Sequence, residues 1–153
     1  MTANAVTHGL FTVEHAFRAS PNRVFRAWTS PDEMRFWAAP AEGWDFTVAA
    51  YDFRPGGTAI MRFGPKGEVP FQDESRFDDI RSQDRIVSAY AITRGEVRIS
   101  SSVSSVQFLP QGGGTLLRYT ESGVYLDGHD SPRIREGGVQ QQVVQLAAML
   151  DGR

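Results

Sequence analysis

The stretch that most restricts the fold of this chain runs from Ala19 to Trp37, reading ASPNRVFRAWTSPDEMRFW. A strand-like segment ends at Ala19, Ser20 suits a helix N-cap, and Pro21 fits a first turn, where its missing N–H leaves no bond unmade. Val24, Phe25 and Trp28 follow at helical spacing. Ser30-Pro31-Asp32-Glu33 then starts a second short helix with the same device, and its two acids face the positive end of the helix dipole. A strand followed at once by two broken, aromatic-bearing helices suits the closing of one end of a curved sheet. It therefore suits a protein built around an internal pocket.

The rest of the chain supplies that sheet. Leu10 to Phe17 alternates, with Phe11, Val13, His15 and Phe17 on one face. Ala38 to Gly43 reads as a loop, followed by extended segments Trp44–Val48 and Ala50–Phe53 that end at Arg54-Pro55-Gly56-Gly57, a strong turn signal. Thr58–Phe63 is a strand, and Gly64-Pro65-Lys66-Gly67 a hairpin turn. Further strands are predicted over Phe71–Ile80, Arg85–Thr93, Val97–Leu109 and Thr115–Tyr125, joined by short turns as in an antiparallel meander. From Arg133 the period changes, and Val139, Val143, Leu146, Ala147 and Leu150 mark one face of a long C-terminal helix. The layout is α+β, with helices segregated to one side of the sheet.

Composition removes several function classes. Sixteen basic and eighteen acidic residues give a net charge of -2 with no basic stripe, which argues against nucleic acid as a partner. With no cysteine there is neither a thiol nucleophile nor a thiolate metal site. The first residues lack a basic and apolar signal pattern, and no apolar run reaches the ~20 residues of a membrane span. The expectation is one soluble, cytoplasmic domain over residues 1–153, with its core at about 10–150, no membrane association and no cofactor.

Several segments together resemble the START-like, or SRPBCC, helix-grip superfamily, and within it the family named for the activator of the Hsp90 ATPase (AHSA1-like). They are Phe17-Arg18-Ala19-Ser20-Pro21 leading into Val24 to Pro31, Trp37-Ala38-Ala39-Pro40 and Arg54-Pro55-Gly56-Gly57. Gly113-Gly114-Thr115, Tyr119-Thr120-Glu121 and Arg135-Glu136-Gly137-Gly138 complete the match. Two positions depart from the family pattern. Ala38 stands where a second tryptophan is common after Trp37, and Gly138-Val139 where a Gly-Trp pair often heads the last helix. The resemblance implies a curved antiparallel sheet of six or seven strands wrapped around the long C-terminal helix, with a cavity between them.

The candidate cavity residues are His15, Trp37, Trp44, Phe46, Phe63, Phe71, Phe77, Tyr90, Phe108, Tyr119 and Tyr125. Such rings give an apolar wall with a few polar tips, although the same residues also build ordinary cores. Trp37 and Trp44 flank a glycine-containing loop and mark a pocket lip. His15 is the histidine inside a predicted strand; His8 falls in a tail and His129 in a polar loop, and no metal-ligand spacing arises. Asp73 and Asp79 share a strand parity, which allows a carboxylate pair. Glu121 could pair with Arg62 or Arg118, although Arg62 should face outward. The run Ser100 to Ser105 lacks the turn that presents a nucleophile and reads as small hydroxyls beneath a ligand or on an outer face.

Three functions follow, in order. The first is capture of a small apolar or aromatic molecule by a carrier or sensor. The ligand enters between the Trp37–Trp44 loop and the last helix, and alanine at Trp37 and Tyr119 weakens binding while sparing the fold. The second is a cyclase, dehydratase or hydrolase that uses His15, Tyr90 or Tyr119 and a buried acid, but no catalytic constellation is evident. The third is a co-chaperone-like interaction module. Only residues 1–9 precede the first predicted strand, too few for a separate client-binding domain. A homodimer through an exposed sheet edge stays open.

Overall fold

Each helix begins at a Ser-Pro pair. In the computed structural model, which describes residues 5–152, α1 spans Pro21–Thr29, α2 Pro31–Trp37 and α3 Pro132–Asp151. Ser20, Ser30 and Ser131 accept hydrogen bonds from the backbone N–H groups of Arg23, Glu33 and Ile134 at 3.2, 3.4 and 3.1 Å. Each serine thereby satisfies one donor that the helix itself leaves without a partner. The Ser131-Pro132 pair sets the start of α3 one residue ahead of the expected Arg133. Arg23 ties α1 to α2 by donating to both carboxylate oxygens of Glu33 at 3.1 and 2.5 Å.

Seven strands form a single sheet: β1 (Val6–Phe17), β2 (Asp45–Tyr51), β3 (Thr58–Gly64), β4 (Phe71–Arg81), β5 (Arg85–Arg94), β6 (Val97–Gln111) and β7 (Gly114–Leu126). Their order is β1-β7-β6-β5-β4-β3-β2, and every neighbouring pair is antiparallel. β1 starts earlier than Leu10 because its pairing with β7 continues to Val6 opposite Leu126. His8, expected in a tail, consequently sits in β1 opposite Val124. The two extended segments on either side of Ala49 are one strand, β2, with a register shift between Val48 and Ala50. Two further shifts, at Phe77/Asp79 and Ile92/Thr93, add to the bending of the sheet. The turn before β3 uses both its glycines: Gly56 has φ 81, and a Cβ on Gly57 would lie 2.1 Å from the Asp52 carbonyl oxygen.

Packing divides the inner face of this sheet into a filled half and a hollow half. Phe11, Val13 and Phe17 of β1, Leu117 of β7, and Val106 and Phe108 of β6 are buried with Val139, Val143, Leu146 and Ala147 of α3 and with Val24, Phe25 and Ala27 of α1. α3 lies mainly on β1 and α2, and no helix packs extensively on β3, β4 or β5. Gln142 and Gln145 of α3 fasten its middle to the end of α2. Their amides donate to the carbonyls of Ala38 at 2.6 Å, and of Trp37 and Ala39 at 2.8 Å each. Those carbonyls lie at the C-terminal end of α2, where helix geometry offers them no partner. No helix among the described residues is long and apolar enough to cross a membrane.

Candidate functional site

The hollow half is a cavity of about 480 Å³ between the inner faces of β2–β7, the α2–β2 loop and the first turns of α3. Alternation in the strands decides what faces it. Phe46, Phe63 and Phe71 are direct cross-strand partners on β2, β3 and β4. With Trp44 they make a row of near-parallel rings: Trp44–Phe71, Phe71–Phe63 and Phe63–Phe46 have centroids 5.8, 5.6 and 6.5 Å apart and planes 13°, 20° and 21° from parallel. Such cross-strand aromatic pairs stabilise the sheet that carries them.

Of the eleven residues expected at a cavity, Trp37, Trp44, Phe46, Phe63, Phe71, Phe77, Tyr90 and Tyr119 line it. His15, Phe108 and Tyr125 do not. His15 has the expected inner parity, but it lies on β1, the strand α3 covers, with its ring 4.9 Å from Phe17. Phe108 is sealed in the core, 5.2 Å from the Phe25 ring. Tyr125 is buried behind the cavity in a polar cluster. Trp37 and Tyr119 prove to be structural as well as lining. They are only 4% and 8% exposed, and the Trp37 indole donates to the Ala27 carbonyl at 3.1 Å. Alanine there would open the core at a cost of about 3–5 kcal/mol, so neither substitution spares the fold as expected.

The polar centre of the site is built on Glu121, which is fully buried. The hydroxyls of Tyr90 and Tyr119 both donate to its Oε1, Tyr119 at 2.7 Å, and Tyr125 donates to Oε2 at 3.2 Å. Its cationic partner is Arg135 of α3, at 3.3 Å, and neither of the strand arginines considered from sequence. Arg62 faces outward to Gln72 and Arg118 to Glu14. Arg135 has no free donor. Its Nε–H goes to Asp130, the two Nη1 hydrogens to Tyr90 Oη (2.8 Å) and Glu121 Oε2, and the two Nη2 hydrogens to Ser100 (2.7 Å) and Asp130 (2.8 Å). Burial alone would lower the Arg135 pKa, but Tyr90, Glu121 and Asp130 together hold it above its ordinary value. Burial raises the phenols of Tyr90 and Tyr119 well above the usual range, and the adjacent Glu121 adds to both.

Asp73 stands apart from this cluster and lines the cavity on β4. Its neighbours across the sheet are Met61 on β3 and Ile92 on β5. Ser75 donates to its Oδ1 at 2.5 Å. Burial pushes its pKa up to about 6, against the opposing pull of the Ser75 hydrogen bond and of Arg135, while Glu121 and Glu74 push it further up. The carboxylate pair with Asp79 does not form, because the bulge after Phe77 turns Asp79 outward to Arg85 at 2.6 Å. The serine run divides by parity: Ser100, Ser102 and Ser104 are buried and Ser101 is exposed. Ser104 lines the cavity, and the Ser102 hydroxyl has no hydrogen-bond partner.

A curved antiparallel sheet that grips a long C-terminal helix and encloses a cavity defines a helix-grip protein. The chain belongs to the family described as activator of Hsp90 ATPase homolog 1-like protein, whose model matches residues 18–151. Two solved structures share both sequence and shape with it. A protein of Rhizobium loti is 37% identical, covers 95% of this chain and 99% of its own, and superposes with a TM-score of 0.84. An uncharacterized protein of Rhizobium leguminosarum is 32% identical over 99% of this chain and 100% of its own, with a TM-score of 0.86. An AHSA1-like protein of Aeromonas hydrophila shares the fold at 19% identity, covering 94% and 93% of the two chains, with a TM-score of 0.72. No curated protein matches the chain.

Proposed function

We propose that this protein binds a small molecule with an apolar, aromatic body in the cavity, as a carrier or sensor acting in the cytoplasm. The observation that carries this reading is the row Trp44, Phe71, Phe63 and Phe46, whose rings line a cavity instead of packing under a helix. Apolar surface left in contact with water costs about 25 cal/mol per Å², so a ligand laid against these rings recovers what the fold leaves unrealised. A volume of about 480 Å³ suits a molecule of one to three rings.

Turnover is the weaker reading, because the tyrosines, arginine and histidine that could move protons are committed elsewhere, which leaves Asp73 alone on the cavity wall. Tyr90 and Tyr119 donate to Glu121, Arg135 has no spare hydrogen, and His15 lies outside the cavity. The test is mass spectrometry of the freshly purified protein under native and then denaturing conditions. Binding predicts a mass excess that disappears on denaturation and whose value identifies the ligand class. A bare chain in both conditions, together with no uptake of added two-ring aromatic compounds, would overturn the reading.

A further inference from the structure

We propose that the cavity selects molecules that carry a protonated amine, with the ammonium seated on Asp73 and the apolar body against the Phe63 and Phe71 rings. This rests on the cavity-binding reading above and adds the charge of the ligand to it. Three observations carry it.

The first is an imbalance of charge. Three carboxylates, Asp73, Asp130 and Glu121, lie in or immediately behind the cavity wall, facing the single guanidinium of Arg135. All five Arg135 hydrogens are committed, and none goes to Asp73. The other cationic groups nearby do not repair this. Arg94 lies outside the lining, over the Phe71 ring and paired with Glu68 at 3.1 Å, and His129, which lines the cavity from the loop before α3, is exposed and forms no ion pair with Asp73. A carboxylate among Met61, Ile92 and Phe71 with one neutral donor is poorly compensated. An ammonium would compensate it.

The second is geometric. Asp73 and Phe71 project from the same face of β4, two residues apart, and Phe63 is the partner of Phe71 on β3. A ligand whose cation sits on Asp73 therefore has its apolar body next to these two rings, and a cation close to their π electrons is attracted where an anion is not. The third is Ser104. It is 7% exposed, lines the same cavity, and makes no hydrogen bond within the described residues. Its hydroxyl opens onto the cavity and is free to meet a polar group of a ligand there.

The same facts exclude anionic ligands. A carboxylate or phosphate would meet Asp73 without finding a free donor on Arg135. The experiment uses three probes that share a naphthalene body: 2-(1-naphthyl)ethylamine, 2-(1-naphthyl)ethanol and 1-naphthylacetate, titrated calorimetrically at pH 7.5 and low salt. The amine should bind at least about tenfold more tightly than the alcohol, and the acetate most weakly. In Asp73→Asn the amine should lose its advantage and bind no more tightly than the alcohol does to the same variant. Equal binding of amine and alcohol to the wild type would overturn the amine selectivity and leave the cavity reading standing. A preference that survives Asp73→Asn would also overturn it. No binding of any of the three would refute both.

Discussion

Asp73 offers a stability measurement that needs no ligand. Burial pushes its carboxyl up to about 6 in the folded protein, from an ordinary value of 3.8. A raised carboxyl pKa means that the ionised form is disfavoured in the native state, so the penalty is absent below pH 3.8 and grows until the pH passes 6. At 1.36 kcal/mol per unit, the ionised carboxylate costs the fold up to about 3 kcal/mol at neutral pH. Asparagine keeps the shape and can still accept from Ser75, but it carries no charge. Asp73→Asn should therefore be more stable than the wild type at pH 7.5, by roughly 1–3 kcal/mol, the lower figure applying if cavity water screens the charge. Urea unfolding at pH 7.5 and at pH 4 reads this directly. The gain should shrink to near zero at pH 4, where the wild-type group is largely protonated. A variant that is neutral or destabilised at pH 7.5, or stabilised equally at both pH values, would refute the account of Asp73 as an uncompensated carboxylate.

Other expectations are as specific. Arg135→Met should lower unfolding stability by roughly 3–5 kcal/mol in urea titrations, because it strands the fully buried Glu121. Gly123→Ala would place a Cβ 2.5 Å from the Ser102 hydroxyl and 3.4 Å from Ser102 Cβ. It should therefore cost about 1–3 kcal/mol, and most of that should return in the double variant with Ser102→Ala. Ser102→Ala alone should be neutral or mildly stabilising by the same unfolding assay, since it removes a buried hydroxyl without a partner. Trp44→Ala, at a half-buried position that stacks on Phe71, should weaken binding of 2-(1-naphthyl)ethanol roughly tenfold by calorimetry while retaining the native circular dichroism spectrum.

How far the sequence reveals these features depends on whether a signal is local. Capping serines, period-two strands and the apolar stripe of α3 are local, and they place every element to within a few residues. The sheet bulges are not local. Asp73 and Asp79 share a parity on paper, and only the extra residue after Phe77 sends one inward and the other outward. The Glu121–Arg135 pair joins a strand to a helix, so strand alternation alone could suggest only strand arginines. Two signals did point to it. Glu121 interrupts the inward series Leu117, Tyr119, Gly123 and Tyr125, and Arg135 falls four residues before Val139 on the buried stripe of α3. A charge on an apolar stripe implies a buried partner. His15 illustrates the opposite failure. Its face is legible from alternation, but whether a helix or a cavity covers that face depends on where α3 comes to rest.

The most direct test of cavity binding is an amide and indole nuclear magnetic resonance map of the protein titrated with 2-(1-naphthyl)ethanol. Binding in the cavity should shift the Trp44 indole and the amides of Phe63, Ser75, Ser88 and Ser104, all of which line it, while outward-facing Thr47, Arg62 and Arg118 stay unmoved. Shifts confined to the outer face of the sheet, or no shifts at saturating probe, would contradict it.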